Sequence, residues 1–208
     1  LLPLGGLRLF GVGRYMERML LFTHPSMLHH EPPGGHAEHP GRLRAVLDAL
    51  QNTPFDRREA PFAEKQAIAR VHPNAYIDAL EPAFEETARG RVRLDPDTYI
   101  SSGSREAVYR AAGACVAAVD AVMSGEADMA FCAVRPPGHH AEPISPMGFC
   151  IFNNVAIGAL HALEAHGLRR VAVVDFDVHH GNGTQTVAES EPRLMFASTH
   201  QAPLYPGT

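Results

Sequence analysis

Short apolar runs and helical segments alternate along the chain from about residue 102 onward. Apolar runs at 129–134, 171–174 and 194–197 predict strands, and the first has the pattern of a strand buried on both faces. Between them, two segments show the spacing of helices, one from Ser104 as N-cap to 123 and one from Asn153 or Asn154 to His166. Helices between strands imply right-handed crossovers and a parallel sheet, so we predict an α/β fold.

The first hundred residues carry weaker patterns. A strand is predicted at 20–23, a helix at 40–50 and a short helix at 74–79. We expect residues 1–18 to be an N-terminal extension and residues 19–208 to be the N-terminal part of a single domain. Because the sequence stops at Y-P-G-T inside an expected loop, we expect the domain to be C-terminally incomplete in this chain.

Polar clusters follow two of the predicted strands. R-P-P-G-H-H comes after the run at 129–134, and D-F-D-V-H-H-G-N-G begins where the run at 171–174 ends. The carboxyl ends of parallel strands lie along one edge of a sheet, where ligands bind. We therefore expect the two clusters to meet in space.

Composition narrows the classes of function. The chain has 208 residues, 45% hydrophobic residues and a net charge of -5, which excludes a disordered tail and disfavours binding to nucleic acid or to a membrane surface. Cys115, Cys132 and Cys150 are too few and too widely spaced for a disulfide framework. Free thiols suit a reducing compartment, and we expect a cytoplasmic protein.

The second cluster has the composition of a metal site. On an extended backbone Asp177 and His179 would lie roughly 7 Å apart on one face, so that both could reach one ion. A carboxylate and an imidazole with room for water fit a catalytic divalent cation, for which zinc is the commonest choice. A single such residue would be better explained as a hydrogen-bonded turn residue, but the whole run favours a site.

Two neighbouring histidines provide candidate proton donors and acceptors. His139 and His140 could flank a reactive water, and each needs an acceptor on its other ring nitrogen, for which Asp175 and Asn182 are the candidates. A carboxylate stabilises an imidazolium more than a neutral amide does. Whichever histidine faces Asp175 is expected to stabilise negative charge, and the other to act as general base.

These motifs together resemble one known family. R-P-P-G-H-H-A-E, M-G-F-C-I-F-N-N, V-D-F-D-V-H-H-G-N-G-T-Q and S-T-H-Q…Y-P-G-T occur in the order and spacing of the histone deacetylase superfamily. They are most similar to its class II and bacterial branch, which includes relatives that act on acetylpolyamines. The likeness runs from about Leu20 to the last residue, with Ala37 departing from the proline expected in G-H-P-E.

The resemblance implies an arginase/deacetylase-like three-layer fold, with a central, mainly parallel sheet flanked by helices, and zinc-dependent hydrolysis of an N-acetyl amide. By position, Asp177 and His179 would bind zinc and His140 would transfer protons. His139 with Asp175 would stabilise the oxyanion, and Asn182 would orient His140. Gly148, Phe149 and Tyr205 would line the substrate channel. A potassium ion would be bound by Asp175, Ser198 and Thr199 together with the backbone of Asp177 and His179. An exit channel would lie beside Arg42.

Several alternatives stay open at this point. The substrate could be acetyl-lysine in a protein such as a histone, or an acetylated small amine, for which Asp95 and Asp97 are a weak indication. The family's third zinc ligand and its carbonyl-polarising tyrosine would lie beyond Thr208, so the chain alone could be an inactive fragment. A histidine-rich metal store is a third reading, although the early histidines are better explained as a surface loop. Association with further copies of the chain also stays open.

Overall fold

The computed structural model describes residues 18–208, so the extension expected at residues 1–18 lies outside the described part except for its last residue. The strands are β1 (Met19–Thr23), β2 (Asp56–Glu59), β3 (Val92–Arg93), β4 (Tyr99–Ile100), β5 (Met129–Cys132), β6 (Val171–Asp175) and β7 (Leu194–Ser198). The helices are α1 (Pro40–Ala49), α2 (Lys65–Ile68), α3 (Asn74–Glu86), α4 (Ser104–Met123), α5 (Asn154–Glu164) and α6 (Asn182–Ser190). Within this part of the chain, no helix is both long and apolar enough to cross a membrane.

The predicted α/β fold with mainly parallel pairing is confirmed. Strands β2, β1 and β5 form one parallel sheet in that order, and β6 pairs in parallel with β7, while β3 and β4 form a small antiparallel ribbon. Among residues 18–208 no ladder joins β5 to β6, so the parallel strands form two separate pieces. Both pieces direct their carboxyl ends to the loops that carry the polar clusters.

The prediction that the run at 129–134 is buried on both faces is wrong. Met129 and Phe131 are 38% and 41% exposed, because β5 is paired on the β1 side only among the described strands. On the facing piece, Val174 and Phe176 are also exposed, the latter by 86%. A groove of about 570 Å³ lies between the two pieces.

Helix α4 packs into both hydrophobic cores. Its Val108 and Ala112 pack with α3, α5, β6 and β7 in one core, and its Ala107, Ala111 and Ala114 pack with β1, α1 and β5 in the other. Alanine lets neighbouring elements approach closely, and it has the highest helix propensity of the common residues. The small side chains of α4 therefore hold the elements behind the site together on both sides.

The helix starts differ in one respect from the prediction. Asn153 caps α5 as expected, its side chain accepting a hydrogen bond from the N–H of Ala156 at 3.1 Å. Ser104 is not the N-cap of α4, because that position is held by Gly103 and Ser104 is the first helical residue. The Ser104 hydroxyl instead accepts from the N–H of Ser101 and contacts buried His30, so it joins loops at the start of the helix.

A buried ion pair positions the first histidine loop. Arg135 is fully buried and makes two 2.6 Å hydrogen bonds to the carboxylate of Glu38. Its guanidinium also donates to the backbone carbonyls of Met27 and His30. Because the planar guanidinium satisfies all these acceptors, the loop after β5 is fixed against the loop before α1.

Candidate active site

The loops that follow β5 and β6 meet at the carboxyl ends of the strands, as expected from the sequence. Nδ1 of His139 lies 2.9 Å from Oδ2 of Asp175, and Nδ1 of His140 lies 2.9 Å from Oδ1 of Asn182. The two imidazole rings are adjacent, with centroids 4.0 Å apart. Each histidine therefore has a different acceptor, a carboxylate for His139 and an amide for His140.

The amide of Asn182 is oriented by a second contact. Its Nδ2 donates to Oε1 of Glu142 at 2.9 Å, which turns Oδ1 towards His140. An amide oxygen only accepts hydrogen bonds, so Nδ1 of His140 must carry the hydrogen. In the neutral imidazole the lone pair then resides on Nε2, on the other side of the ring.

The surroundings of His140 favour that neutral form. His140 is 3% exposed, and burial lowers its pKa to about 4, with a further contribution from neighbouring His139. Burial acts in this direction because a charged imidazolium loses its hydration. At neutral pH His140 therefore holds an unprotonated Nε2.

Asp175 is the opposite case, a carboxyl group held in its charged form. Partial burial raises its pKa, but hydrogen bonds from His139 and from the backbone N–H of Asp177 outweigh that effect and leave the pKa below its usual value. A carboxylate that accepts several hydrogen bonds is stabilised as the anion. The site thus sets a negative charge behind His139 and a neutral amide behind His140.

The chain turns after β6 rather than continuing as a strand. The carboxylate of Asp175 accepts from the N–H of Asp177, and that of Asp177 accepts from the N–H of His179, in two successive side-chain-to-backbone turns. As a result, Oδ1 of Asp177 lies 3.3 Å from Nδ1 of His179, closer than an extended backbone would allow. Two ligand atoms bound to one tetrahedral zinc ion are about 3.3 Å apart, so this pair fits zinc.

A cavity of about 510 Å³ opens beside these side chains. Its lining includes His139, His140, Asp177 and His179 together with Gly148, Phe149 and Tyr205. The ring of Tyr205 stands perpendicular to that of His140, with centroids 4.9 Å apart. The structure therefore brings the residues predicted for the metal, for proton transfer and for the channel wall to one cavity.

The turn at Gly148 and Phe149 depends on backbone conformation. Both residues have positive φ angles, 57° and 70°, and a Cβ atom at position 148 would overlap the imidazole carbons of His140. Phe149 adopts a conformation that is uncommon for a residue with a side chain, and its ring packs edge-on against His36. Glycine at 148 thus makes room for His140, and Phe149 is turned into the cavity wall.

Three further charged residues, Glu38, Arg42 and Asp97, line the same cavity. Arg42 donates to the carbonyl of Val134 at 3.0 Å and lies 3.9 Å from the carboxylate of Glu38. Asp97 accepts from the N–H of Gly148 at 3.1 Å, and the carboxylate of Asp95 accepts from the N–H of Asp97. Arg42 thus lies in the cavity lining, and Asp97 adds a negative charge there.

The residues expected around potassium lie next to one another. Asp175 is paired in register with Ser198, and its carbonyl accepts from the N–H of Thr199 at 3.0 Å. The hydroxyl of Ser198 contacts the ring of His200 at 2.8 Å. The oxygen donors of this segment are hard ligands of the kind that alkali and alkaline-earth cations prefer.

Glu142 was not singled out from the sequence, although it shapes the site through Asn182. It stands two residues after the H-H pair, a spacing that alone predicts no contact with a residue 40 positions later. Within residues 18–208, none of the early histidines belongs to a group of three close potential metal ligands. Among the described residues, the group of three potential ligands is Asp120, His161 and His166, outside the cavity.

Comparison with known proteins gives a consistent assignment. The family model for the histone deacetylase domain matches residues 36–208. The chain is 40% identical to histone deacetylase 14, chloroplastic, of Arabidopsis thaliana over 92% of this chain and 49% of that protein. It is 42% identical to the histone deacetylase-like amidohydrolase of Pseudomonas aeruginosa over 85% of this chain and 47% of the relative.

A solved structure gives the same result. The crystal structure of the HDA15 HD domain superposes with a TM-score of 0.85 and 34% identity, covering 91% of this chain and 57% of that one. The chain spans about half the length of the curated relatives it matches. On the family match, the identities and the fold, the chain belongs to the histone deacetylase family.

Proposed function

We propose that the protein containing this chain is a zinc-dependent deacetylase, which hydrolyses the N-acetyl amide of acetyl-lysine in proteins such as histones and releases acetate. One observation carries the proposal: adjacent His139 and His140 have a carboxylate and an amide as their respective acceptors, beside the Asp177–His179 pair. Because their acceptors differ, His139 and His140 are proposed to have different roles in catalysis. Residues 19–208 would supply part of a single catalytic domain.

Asp177 and His179 are the proposed zinc ligands, through Oδ1 and Nδ1. When bound, zinc supplies Lewis acidity that polarises the substrate carbonyl and makes water a better nucleophile. A structural potassium ion is proposed at Asp175, Ser198 and Thr199 with backbone oxygens of Asp177 and His179. The support is the pairing of Asp175 with Ser198 and the hydrogen bond from the N–H of Thr199 to the Asp175 carbonyl.

His140 is the proposed general base and acid. Its Nε2 lone pair takes a proton from water as the oxygen attacks the carbonyl carbon, and returns that proton to the amine nitrogen as the C–N bond breaks. Asn182 and Glu142 keep the hydrogen on Nδ1, so that Nε2 is free for this transfer. The pKa of about 4 means that the base is unprotonated at neutral pH.

His139 is the proposed electrostatic stabiliser. The carboxylate of Asp175 stabilises positive charge on its ring, and an imidazolium beside the carbonyl would stabilise the oxyanion that develops during attack. The aliphatic stem of the substrate would lie between Phe149 and Tyr205, with Gly148 lining the channel. Acetate would leave past Arg42, whose cation attracts an anionic product.

We further propose that the 208-residue chain is inactive on its own. Catalytic zinc normally has three protein ligands, and among residues 18–208 no third donor joins Asp177 and His179. The test uses a fluorogenic acetyl-lysine peptide with the chain alone and with a chimera. In the chimera, residues 19–208 replace the matching part of the Pseudomonas aeruginosa relative.

We expect the chimera to release one acetate for each peptide that it deacetylates. A chelator should abolish this activity, and added zinc should restore it. His140→Ala in the chimera should lower kcat/KM by about 100-fold or more, since a positioned base contributes about that much. His29→Ala is the matched control, because His29 is exposed and does not line the cavity. Robust turnover by the chain alone, or an active His140→Ala chimera, would overturn these assignments.

A free acetylated polyamine is the second candidate substrate. The carboxylate of Asp97 in the cavity lining favours it, because a polyamine keeps positive charge beyond its acetylated end. Comparing kcat/KM for N-acetylputrescine and an acetyl-lysine peptide distinguishes the two. If polyamines are the substrate, Asp97→Asn should raise their KM selectively and leave the peptide little affected.

The surroundings of the protein are also part of the proposal. We propose a cytoplasmic location, supported by three free cysteines at positions 115, 132 and 150. We propose that it acts without direct nucleic-acid or membrane contact, supported by its net charge of -5. The proposed cytoplasmic location can be tested by fractionating the producing cells and detecting the protein in the soluble or the membrane fraction.

A further inference from the structure

Three side chains of the types that bind metals lie close together where α4 packs against α5. Asp120 is on α4, His161 is in the last turn of α5, and His166 follows the end of that helix. Nε2 of His161 lies 2.6 Å and Nε2 of His166 lies 2.7 Å from the same oxygen, Oδ1 of Asp120. The three donor atoms are all within 4.8 Å of one another.

The end of α5 accounts for this arrangement. The helix stops at Glu164, and Gly167, with a φ of 66°, reverses the chain so that the N–H of Leu168 reaches the carbonyl of Ala162. This turn folds His166 back beside His161, with the two rings perpendicular and their centroids 5.3 Å apart. Both imidazoles are therefore presented on the same side as Asp120.

Each ring offers its Nε2 to the group. Nδ1 of His161 is buried and has no hydrogen-bond partner among the described residues, so Nε2 makes the only polar contact recorded for that ring. His161 is 9% exposed, whereas the Asp120 side chain is 52% exposed. The group is thus buried on the side of His161 and open to water on the side of Asp120.

We propose that Asp120, His161 and His166 form a second site for a divalent transition metal, best suited to zinc, that tethers the end of α5 to α4. Two imidazoles and one carboxylate are a zinc donor set, and the open side leaves a position for water. The spacing H-x₄-H falls within the range found in zinc sites. Binding would require each nitrogen to move about 0.6 to 0.7 Å away from the oxygen, since two ligand atoms on one zinc ion are about 3.3 Å apart.

This site is independent of the deacetylase proposal. None of its three residues lines the cavity that contains Asp177 and His179. An ordinary ion-paired cluster is the competing explanation, because a carboxylate accepting from two imidazoles needs no metal. Measured metal affinity distinguishes a metal site from an ion-paired cluster. In an ion-paired cluster the imidazoles keep their protons, and no metal ion is bound.

The experiment uses the 208-residue chain with Asp177→Asn and His179→Ala, which removes the proposed catalytic ligands. Titration with Co²⁺, followed by visible absorption, and with Zn²⁺, followed by calorimetry and by the thermal unfolding midpoint, should give one ion per chain and a raised midpoint. Adding His166→Gln should weaken binding at least 10-fold and remove the midpoint shift. His29→Gln, at an exposed histidine outside the group, should change neither.

Two results would overturn the proposal. One is the absence of micromolar Co²⁺ or Zn²⁺ binding by the background variant, and the other is equal affinity with and without His166→Gln. Asp120→Asn provides a second variant at an exposed position, so that a folding defect in one variant leaves the test intact. Circular dichroism of each variant without metal identifies such a defect.

Discussion

Oδ1 of Asn182 accepts a hydrogen bond from Nδ1 of His140 at 2.9 Å, and this contact determines which nitrogen of His140 is free to accept a proton. The contact is neutral, whereas the equivalent partner of His139 is the carboxylate of Asp175. The proposed mechanism rests on that difference. Its consequences can be tested in the chimera described above.

Replacing the neutral amide by a carboxylate should make His140 more basic. Asn182→Asp places a negative charge 2.9 Å from Nδ1, which stabilises the imidazolium and raises the pKa of His140 from about 4. The acidic limb of the kcat/KM profile should therefore move to higher pH by about one pH unit or more. An acidic limb that stays in place would contradict the role of His140 as the base.

Removing Glu142 should impair catalysis without removing any group that touches substrate. Glu142→Ala frees the Asn182 amide to flip, so that Oδ1 no longer fixes the hydrogen on Nδ1 of His140. We expect kcat to fall about 10- to 100-fold with KM little changed, the loss typical of removing the outer partner of a metal-binding histidine. Glu142→Gln keeps an oxygen acceptor and should recover most of kcat, whereas equal losses in both variants would point to a structural role.

A methyl group at position 148 should displace the general base. In Gly148→Ala the added Cβ overlaps the His140 ring, and misplacing a catalytic group by about 1 Å costs roughly 100-fold in rate. Gly125→Ala is the matched control. Its φ is 77° but its surroundings are open, so it should lose about 1 kcal/mol of unfolding free energy and keep its activity. Equal activity in the two variants would remove the steric argument.

Stability should fall at acidic pH because His72 is buried as the neutral imidazole. Its Nε2 accepts from the N–H of Asn153, its Nδ1 contacts the carbonyl of Pro143, and burial lowers its pKa from 6.5 to about 4. Stability from this group is fully present above pH 6.5 and is lost as the pH falls towards 4. Urea unfolding at pH 7 and pH 5 should show a loss of about 2 kcal/mol from His72.

The matched variants identify the source of that loss. His72→Gln removes the titrating ring and should reduce the difference in unfolding free energy between the two pH values, whatever its effect at pH 7. His29→Gln changes an exposed histidine and should leave the difference as it is. A pH dependence that is unchanged in His72→Gln would contradict the assignment.

The sequence predicted the parts of the fold that depend on local patterns. Strands β6 and β7 follow from apolar runs, and the start of α5 follows from a side-chain acceptor at Asn153 or Asn154; all three elements are present, with Asn153 as the cap. Ser104 was assigned wrongly because a serine before a helix usually caps it, whereas here its hydroxyl is used by Ser101 and His30. The exposure of Phe131 was missed because strand pairing depends on distant segments.

In the candidate site, too, some features follow from the sequence pattern and others depend on contacts between distant residues. Topology predicts that the loops after β5 and β6 meet, but which histidine faces Asp175 depends on side-chain placement within those loops. The Glu142–Asn182 contact and the approach of Asp120 to the H-x₄-H segment both join residues 40 or more positions apart. No local pattern marks such pairs, so they came from the structure alone.

The most direct test of the central claim is an anomalous diffraction map at the zinc edge from crystals of the chimera. The account predicts a peak at coordination distance from Oδ1 of Asp177 and Nδ1 of His179, on the side that faces His139 and His140. At saturating zinc, an ordered site without such a peak would contradict the account. So would a catalytically active enzyme whose zinc is bound away from both ligands.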